Sequence, residues 1–213
     1  MDIEFYTPEQ MDEIVEFLDE NFGKTEYVAH EIKSDYVHTD VHLSSNDEMR
    51  NFVTFGMGAR TMDSPASCPD RIELVMHSST AEDINDHALL QCLVSLSKYP
   101  FRNDTWFGAW HTVDVPQSFK ETFGYDFVLL IPTDLEFSPS DKVNGVEKVD
   151  FLAAIPLYED ERDWVVENHG ILYLYLLGYK FGEDIFKVDF KREHYIPSEE
   201  DLAFLTEENN LAD

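Results

Sequence analysis

Between residues 25 and 57 three strand-like segments follow one another closely: TEYVAHEI, DYVHTDVHL and RNFVTFGM. The last two flank SSND at 44–47, a turn-forming cluster of the kind that closes hairpins. RIELVMH at 71–77 reads as a further strand, with Ile72, Leu74 and Met76 on one face and Glu73, Val75 and His77 on the other. DFVLLIP and VEKVDFLAAIPL add two more. Strands that neighbour in sequence tend to neighbour in space, so these predict one mixed, largely antiparallel sheet.

Helices to cover it are also written out. Thr7, Pro8 and Gln10 form a capping-box start, Met11, Ile14, Val15, Leu18 and Phe22 make one apolar stripe, and Gly23 is a stop. SSTAEDINDHALLQCLVSLSKYP predicts a second helix, capped from the Ser-Ser-Thr cluster and ended before Pro100. YEDERDWVVENHGILYLYLLG predicts a third, broken near His169-Gly170. The tail predicts a last strand in FKVDFKREHY, a short helix after Ser198 and an acidic, fraying end. The fold class is α/β (α+β), a single sheet flanked by helices. It divides into an N-terminal helical segment (1–26), a main domain (27–195) and an acidic tail (196–213).

With 43% hydrophobic and 14% aromatic residues the chain can build a core, so global disorder is excluded. The charge is unusual: 15 basic residues against 44 acidic ones leave a net −29. Nucleic acid and anionic membrane surfaces would repel such a molecule, and a basic protein partner would be drawn to it. Solubility or a saline cytosol would account for the same charge. The N-terminus MDIEFYTPEQ lacks the basic start and apolar core of a secretory signal. ILYLYLLGY, the most apolar run, is far shorter than the roughly 18 residues that span a bilayer. Cys68 and Cys92 form no Cys-x-x-Cys motif, so a reduced, cytoplasmic setting is the default.

Three stretches could carry chemistry. His38, Asp40 and His42 sit two apart, and on one strand they would share a face. They could ligate a metal, with His77, His111 or Glu73 as a further ligand, and serve a metal-dependent hydrolase; or they are the polar face of a half-buried strand. GMGAR at 56–60 lacks the rest of a phosphate-binding loop, so Gly56 and Gly58 read as a bulge or tight turn. No Gly-x-Ser-x-Gly elbow is present, and neither cysteine sits in a nucleophile motif. DTWFGAWHT at 104–112 gathers Trp106, Trp110 and His111. It is either a core corner, with Asp104 satisfying a turn, or an aromatic groove for a protein segment. Asp12, Glu13, Glu16, Asp19 and Glu20 on the outer face of the first helix are either solvated or a docking place for a basic partner.

Taken in order, HTDVHL, RNFVTFGMGARTM, RIELVMHSS, SLSKYPFRNDTWFGAWHTV, FVLLIP and VDFLAAIPLYEDERDWVVENHG resemble the suppressor-of-fused domain family over about residues 27–178. The resemblance rests on a Thr-x-Gly-Met segment, a Glu-Leu strand, an Asp-Thr-Trp block before Gly and His-Thr, and Pro-Leu-Tyr-x-x-Glu opening a helix. It implies a non-enzymatic protein-binding scaffold with no cofactor. In animals the family sequesters a zinc-finger transcription factor, gripping an extended peptide as an added strand with help from a second, C-terminal domain. At 213 residues the chain is expected to stop before that second domain. Stand-alone bacterial members look like immunity proteins that neutralise a cognate toxin, so the expected partner is a basic, toxin-like protein. His38 and Asp40 belong to the family pattern; Gly58 stands where the family has Ser, and Trp110 where it has Gly. Partner-binding candidates are therefore His38, Asp40, Gly58, Asp104, Trp106, Trp110 and His111, with Asp12, Glu16 and Asp19.

Overall fold

A computed structural model describes residues 3–46, 48–80, 85–182 and 192–203. Among these residues seven strands form one sheet: β1 (Thr25–Ala29), β2 (Asp40–Ser45), β3 (Met49–Phe55), β4 (Ile72–Ser79), β5 (Thr112–Asp114), β6 (Phe127–Phe137) and β7 (Val149–Leu157). Their spatial order is β1-β2-β3-β4-β7-β6-β5. Every neighbouring pair is antiparallel except β4 with β7, which is parallel. The sheet is therefore mixed and largely antiparallel, and the helices flank it.

Period-two alternation divides the core between the two faces. Ile72, Leu74 and Met76 of β4, Val128 and Leu130 of β6, and Leu152 and Ala154 of β7 point to one side. There they meet α2 (Asp86–Arg102) and α3 (Gln117–Phe123) through Leu89, Cys92, Leu93, Leu96 and Phe119. The opposite side is shared. Over one half, α1 (Pro8–Phe22) packs Ile14, Leu18 and Phe22 against Val53, Val75 and Phe151. Over the other, α4 (Glu159–Asn168) and α5 (Gly170–Phe181) bring Val165, Tyr173, Leu176 and Leu177 onto Leu129, Ile131 and Ile155.

α1 starts as its sequence predicts. Thr7 Oγ1 accepts from the Gln10 amide at 3.2 Å, Gln10 Oε1 accepts from the Thr7 amide at 3.0 Å, and Gly23 ends the helix at φ 91°. The third predicted helix breaks where expected, at His169 (φ 74°), between α4 and α5. Elsewhere the structure departs from expectation. β2 begins at Asp40, because Ser34 Oγ and the Thr39 amide bond Glu31 and the Glu31 amide bonds Asp40, diverting residues 31–39 from the ladder. α2 begins only at Asp86, since Ser78 and Ser79 belong to β4. It also runs through Pro100, which is buried close enough to the helix end to forfeit one backbone bond and little else.

β5 and α3 are not expected from the sequence pattern, although Pro116 before α3 and the left-handed Gly124 after it are ordinary helix boundaries. The expected strand in FKVDFKREHY falls mostly on 183–191, and the expected fraying end on 204–213, both outside the described residues. A single helical turn does follow Ser198 at 199–203. Ser198 caps it: its Oγ accepts from the Asp201 amide at 3.2 Å, and Asp201 Oδ2 accepts from the Ser198 amide at 2.8 Å. No helix among the described residues is long and apolar enough to cross a membrane.

Candidate functional site

The His-x-Asp-x-His stretch does not present three ligands to one point. Asp40 is buried and bonds His30 Nδ1 at 2.8 Å and the Glu31 amide at 2.9 Å, with His38 Nε2 beside its carboxylate at 3.1 Å. The other ring nitrogen of His38 lies 2.8 Å from Ser34 Oγ. His42 turns to the α1 side, where its ring meets Phe55 at 5.1 Å and Nδ1 faces Thr25 Oγ1 at 3.3 Å. Burial lowers its pKa, so it favours the neutral form. His111 immediately precedes β5 at the far end of the sheet, about 24 Å away at ~4.8 Å per strand. Among the described residues no group of three or more His, Cys, Asp or Glu side chains is placed to hold a metal.

Glu73 is fully buried and accepts four hydrogen bonds: Tyr6 Oη at 2.9 Å, Thr54 Oγ1 at 2.6 Å, and the amides of Gly56 at 2.8 Å and Gly58 at 3.0 Å. Burial raises its pKa, against these four donors. The Arg71 guanidinium donates to the carbonyls of Gly58 and Ala59, closing the turn from the other side. Glycine is required twice here. Gly56 has φ 113°, and a Cβ would sit 2.4 Å from the His38 carbonyl oxygen. A Cβ on Gly58 would sit 2.5 Å from Tyr6 Oη and 2.7 Å from Val149 Cγ1. Gly58 is thus an interior residue. Cys92 is likewise buried, and burial pushes its thiol pKa upward.

The corner at 103–115 is different, because it stands at the sheet's edge and holds strained backbone. Asn103 closes α2, and exposed Asp104 takes φ 47°, a left-handed conformation Asp tolerates. Phe107 is buried and stacks on Tyr99 at 5.7 Å, anchoring the loop to α2. The half-buried ring of Trp106 covers Gly108, where a Cβ would be only 2.4 Å from Trp106 Cζ3, and meets His111 at 4.4 Å. Burial lowers the His111 pKa, against a hydrogen bond to the Trp106 backbone.

Trp110 has φ 71°, which is costly for a bulky residue, on the order of 1–3 kcal/mol. Its amide donates to the Leu130 carbonyl at 2.6 Å, and the Leu130 amide donates to the His111 carbonyl at 2.8 Å. The chain thereby joins β6 two residues before β5 is formally a strand. β5 is the last strand in the order, so among the described residues its outer edge has no strand neighbour. Trp106 packs toward the α2 face, and Trp110 toward the α4–α5 face. There Val165, Val166, His169, Gly170 and Ile171 join Trp110 around a pocket of about 380 Å³.

The family model for the suppressor of fused protein matches residues 35–193, well over half of the chain. The chain belongs to the suppressor of fused family. No curated protein sequence matches it. Solved structures that share the fold include the following two. A chain of the Sufu–Fu complex superposes with a TM-score of 0.70 at 11% identity, over 95% of this chain and 96% of that one. Drosophila Suppressor of Fused superposes with a TM-score of 0.70 at 13% identity, over 98% of this chain and 57% of that one. The chain therefore spans little more than half of the Drosophila protein.

Several blocks of the family signature prove to be folding clamps. Thr54-x-Gly56-Met57 and Glu73-Leu74 meet in the Glu73 network, and Asp40 fastens the loop before β2. Tyr158-x-x-Glu161 opens α4, where Glu161 Oε2 accepts from the Tyr158 amide at 3.0 Å. Glu161 is also held by both terminal nitrogens of Arg192, at 2.7 and 2.6 Å, a pair sequence reasoning missed because 31 residues separate the partners. On α1, Asp12 and Glu16 face solvent, whereas Asp19 accepts from the Thr25 amide and hydroxyl. Those two bonds hold its carboxyl below the usual range.

Proposed function

We propose that this protein is a non-enzymatic binding module that takes an extended segment of a partner protein on the β5 edge, between Trp106 and Trp110. One observation carries the reading: an open strand edge begins at two tryptophans on opposite sheet faces, held by left-handed backbone at Asp104 and Trp110. An added strand gains main-chain hydrogen bonds along such an edge, and flanking aromatic surface supplies specificity. One of the two related structures is that of a complex, Sufu with Fu, which supports the same kind of role here.

The net charge of −29 favours a basic partner, and we place the protein among cytoplasmic immunity-type inhibitors of a cognate toxin. Inhibition is then steric and electrostatic. Long-range attraction of this kind can bring association to ~10⁸ M⁻¹s⁻¹ at low salt. The competing metal-hydrolase reading has no geometric support among the described residues, since His38 and Asp40 pair with each other and with Ser34 and His30, while His42 turns away to Thr25.

The test is stopped-flow binding to the purified product of the adjacent gene. Trp106→Ala and Trp110→Ala should each speed dissociation at least tenfold. Lys substitutions at Asp12, Glu16 and Glu20 should slow association without changing dissociation. A basic partner whose kinetics ignore both the tryptophans and ionic strength would sink the proposal.

A further inference from the structure

Among the described residues a second open edge lies at the other end of the sheet, where β1 is the first strand in the order. Beside it, the outward ridge of α2 and the turn after β1 enclose a groove of about 590 Å³. Its floor is apolar, from Tyr27 and Ala29 of β1 to Leu90 and Val94 of α2, and Ile32 stands fully exposed at the rim. Its charge runs against the rest of the molecule. Of the 15 basic residues in the chain, Lys33, Lys98 and Arg102 line this one groove, joined by His30 and His87.

Glu31 is the single carboxylate of the lining. It is engaged inside the fold, bonded to Lys98, to Ser34 Oγ at 2.8 Å and to the Thr39 amide at 3.1 Å. Lys98 is thereby neutralised, while Lys33 and Arg102 remain as exposed cations, the latter 5.8 Å over the Tyr36 ring.

We propose that this groove takes an extended acidic segment of a partner protein, which pairs with β1 as a further strand and sets carboxylates against Lys33 and Arg102. The charges select the occupant. A second copy offering the same groove would oppose Lys33 and Arg102 with their own kind, and a basic segment would meet the same repulsion. The overall field of the molecule also rejects a large acidic protein, so the acidic element must be short and local. This surface is distinct from the β5 edge and stands or falls independently of it.

The test uses fluorescein-labelled nonapeptides alternating Glu with Val, their Gln and Lys counterparts, and a Glu version N-methylated at alternate amides. Binding to the full chain is read by anisotropy, and location by hydrogen exchange. The Glu peptide should bind at least tenfold tighter than the Gln or Lys peptides, lose binding on N-methylation, and protect residues 25–33. The variant Lys33→Glu/Arg102→Glu changes two exposed side chains; it should weaken binding at least tenfold while keeping its melting temperature. Equal binding of the Gln peptide, or protection at 112–114 instead, would overturn the proposal. So would a concentration-dependent dimer protected at β1, which gives the groove to a second copy. Binding seen only after removal of residues 204–213 would likewise give it to the chain's own acidic end.

Discussion

Replacing Arg192 by Met tests whether the segment at 192–195 is locked to α4 by charge. In the native protein the Arg192 fork meets both oxygens of Glu161, and both side chains are buried. Arg192 also donates to the Pro156 carbonyl at 3.1 Å, and its guanidinium lies 5.5 and 5.4 Å from the Tyr125 and Tyr158 rings. Arg192→Met leaves a fully buried carboxylate with two backbone donors, the amides of Tyr158 and Tyr195 at 3.0 and 2.9 Å. Breaking such a pair from one side costs about 3–5 kcal/mol. At about 2–4 °C per kcal/mol for a chain of this size, the melting temperature should fall by roughly 6–20 °C. Arg192→Lys keeps a charge but loses the two-point grip, and should lose about half as much. The double variant Glu161→Gln/Arg192→Met removes the stranded charge, so it should be more stable than Arg192→Met alone. Urea unfolding followed by tryptophan fluorescence measures all of these. A loss below about 1 kcal/mol for Arg192→Met, or a double variant equal to the sum of its singles, would refute the reasoning.

Acid stability should depend on His77, whose burial holds its pKa at about 4, against about 6.5 in an unfolded chain. The unfolded state binds the extra proton between those values. The contribution is therefore complete above about pH 6.5 and is lost as pH falls toward 4, by up to about 3 kcal/mol; urea titrations of His77→Gln should lack this limb. Gly58→Ser should cost about 1–3 kcal/mol by overpacking against Tyr6 and Val149, and Gly56→Ala should cost more because its Cβ meets unyielding backbone. At Trp110, Gly should be better tolerated than Ala by about 1 kcal/mol in thermal melts, because both lose the indole but only Gly relaxes φ 71°.

What could be read from the sequence was what local chemistry decides. The α1 capping box, the two faces of β4 and the break at His169 each depend on residues within a few positions of one another. Features decided by distant partners could not be read. β2 starts late because Glu31 and Asp40 capture the preceding loop, and a strand pattern in DYVHTDVHL does not reveal that competition. Arg192 and Glu161 find each other only once α4 and the segment after α5 are folded. The β1–α2 groove joins residues 27–33 to 87–102, and its basic lining is hidden in a sequence whose overall charge points the other way.

The family signature and the candidate contacts occupy physically different places. Thr54, Gly56 and Glu73 are spent on one buried network, and Tyr158 and Glu161 on another. Changing them should weaken the scaffold whatever it binds, so a resemblance built on them carries the fold and leaves the partner open. The two departures from the family pattern separate along the same line. Gly58 lies in the interior with Tyr6 filling the space a side chain would need, so what stands there is decided by packing. Trp110 holds φ 71°, which suits a bulky residue badly, and its ring stays half-buried beside an open pocket at the sheet edge. Strained backbone of this kind clusters at binding and active sites, which favours Trp110 as the contact residue of the two. We infer that partner choice in this member of the family turns on Trp110 and not on Gly58.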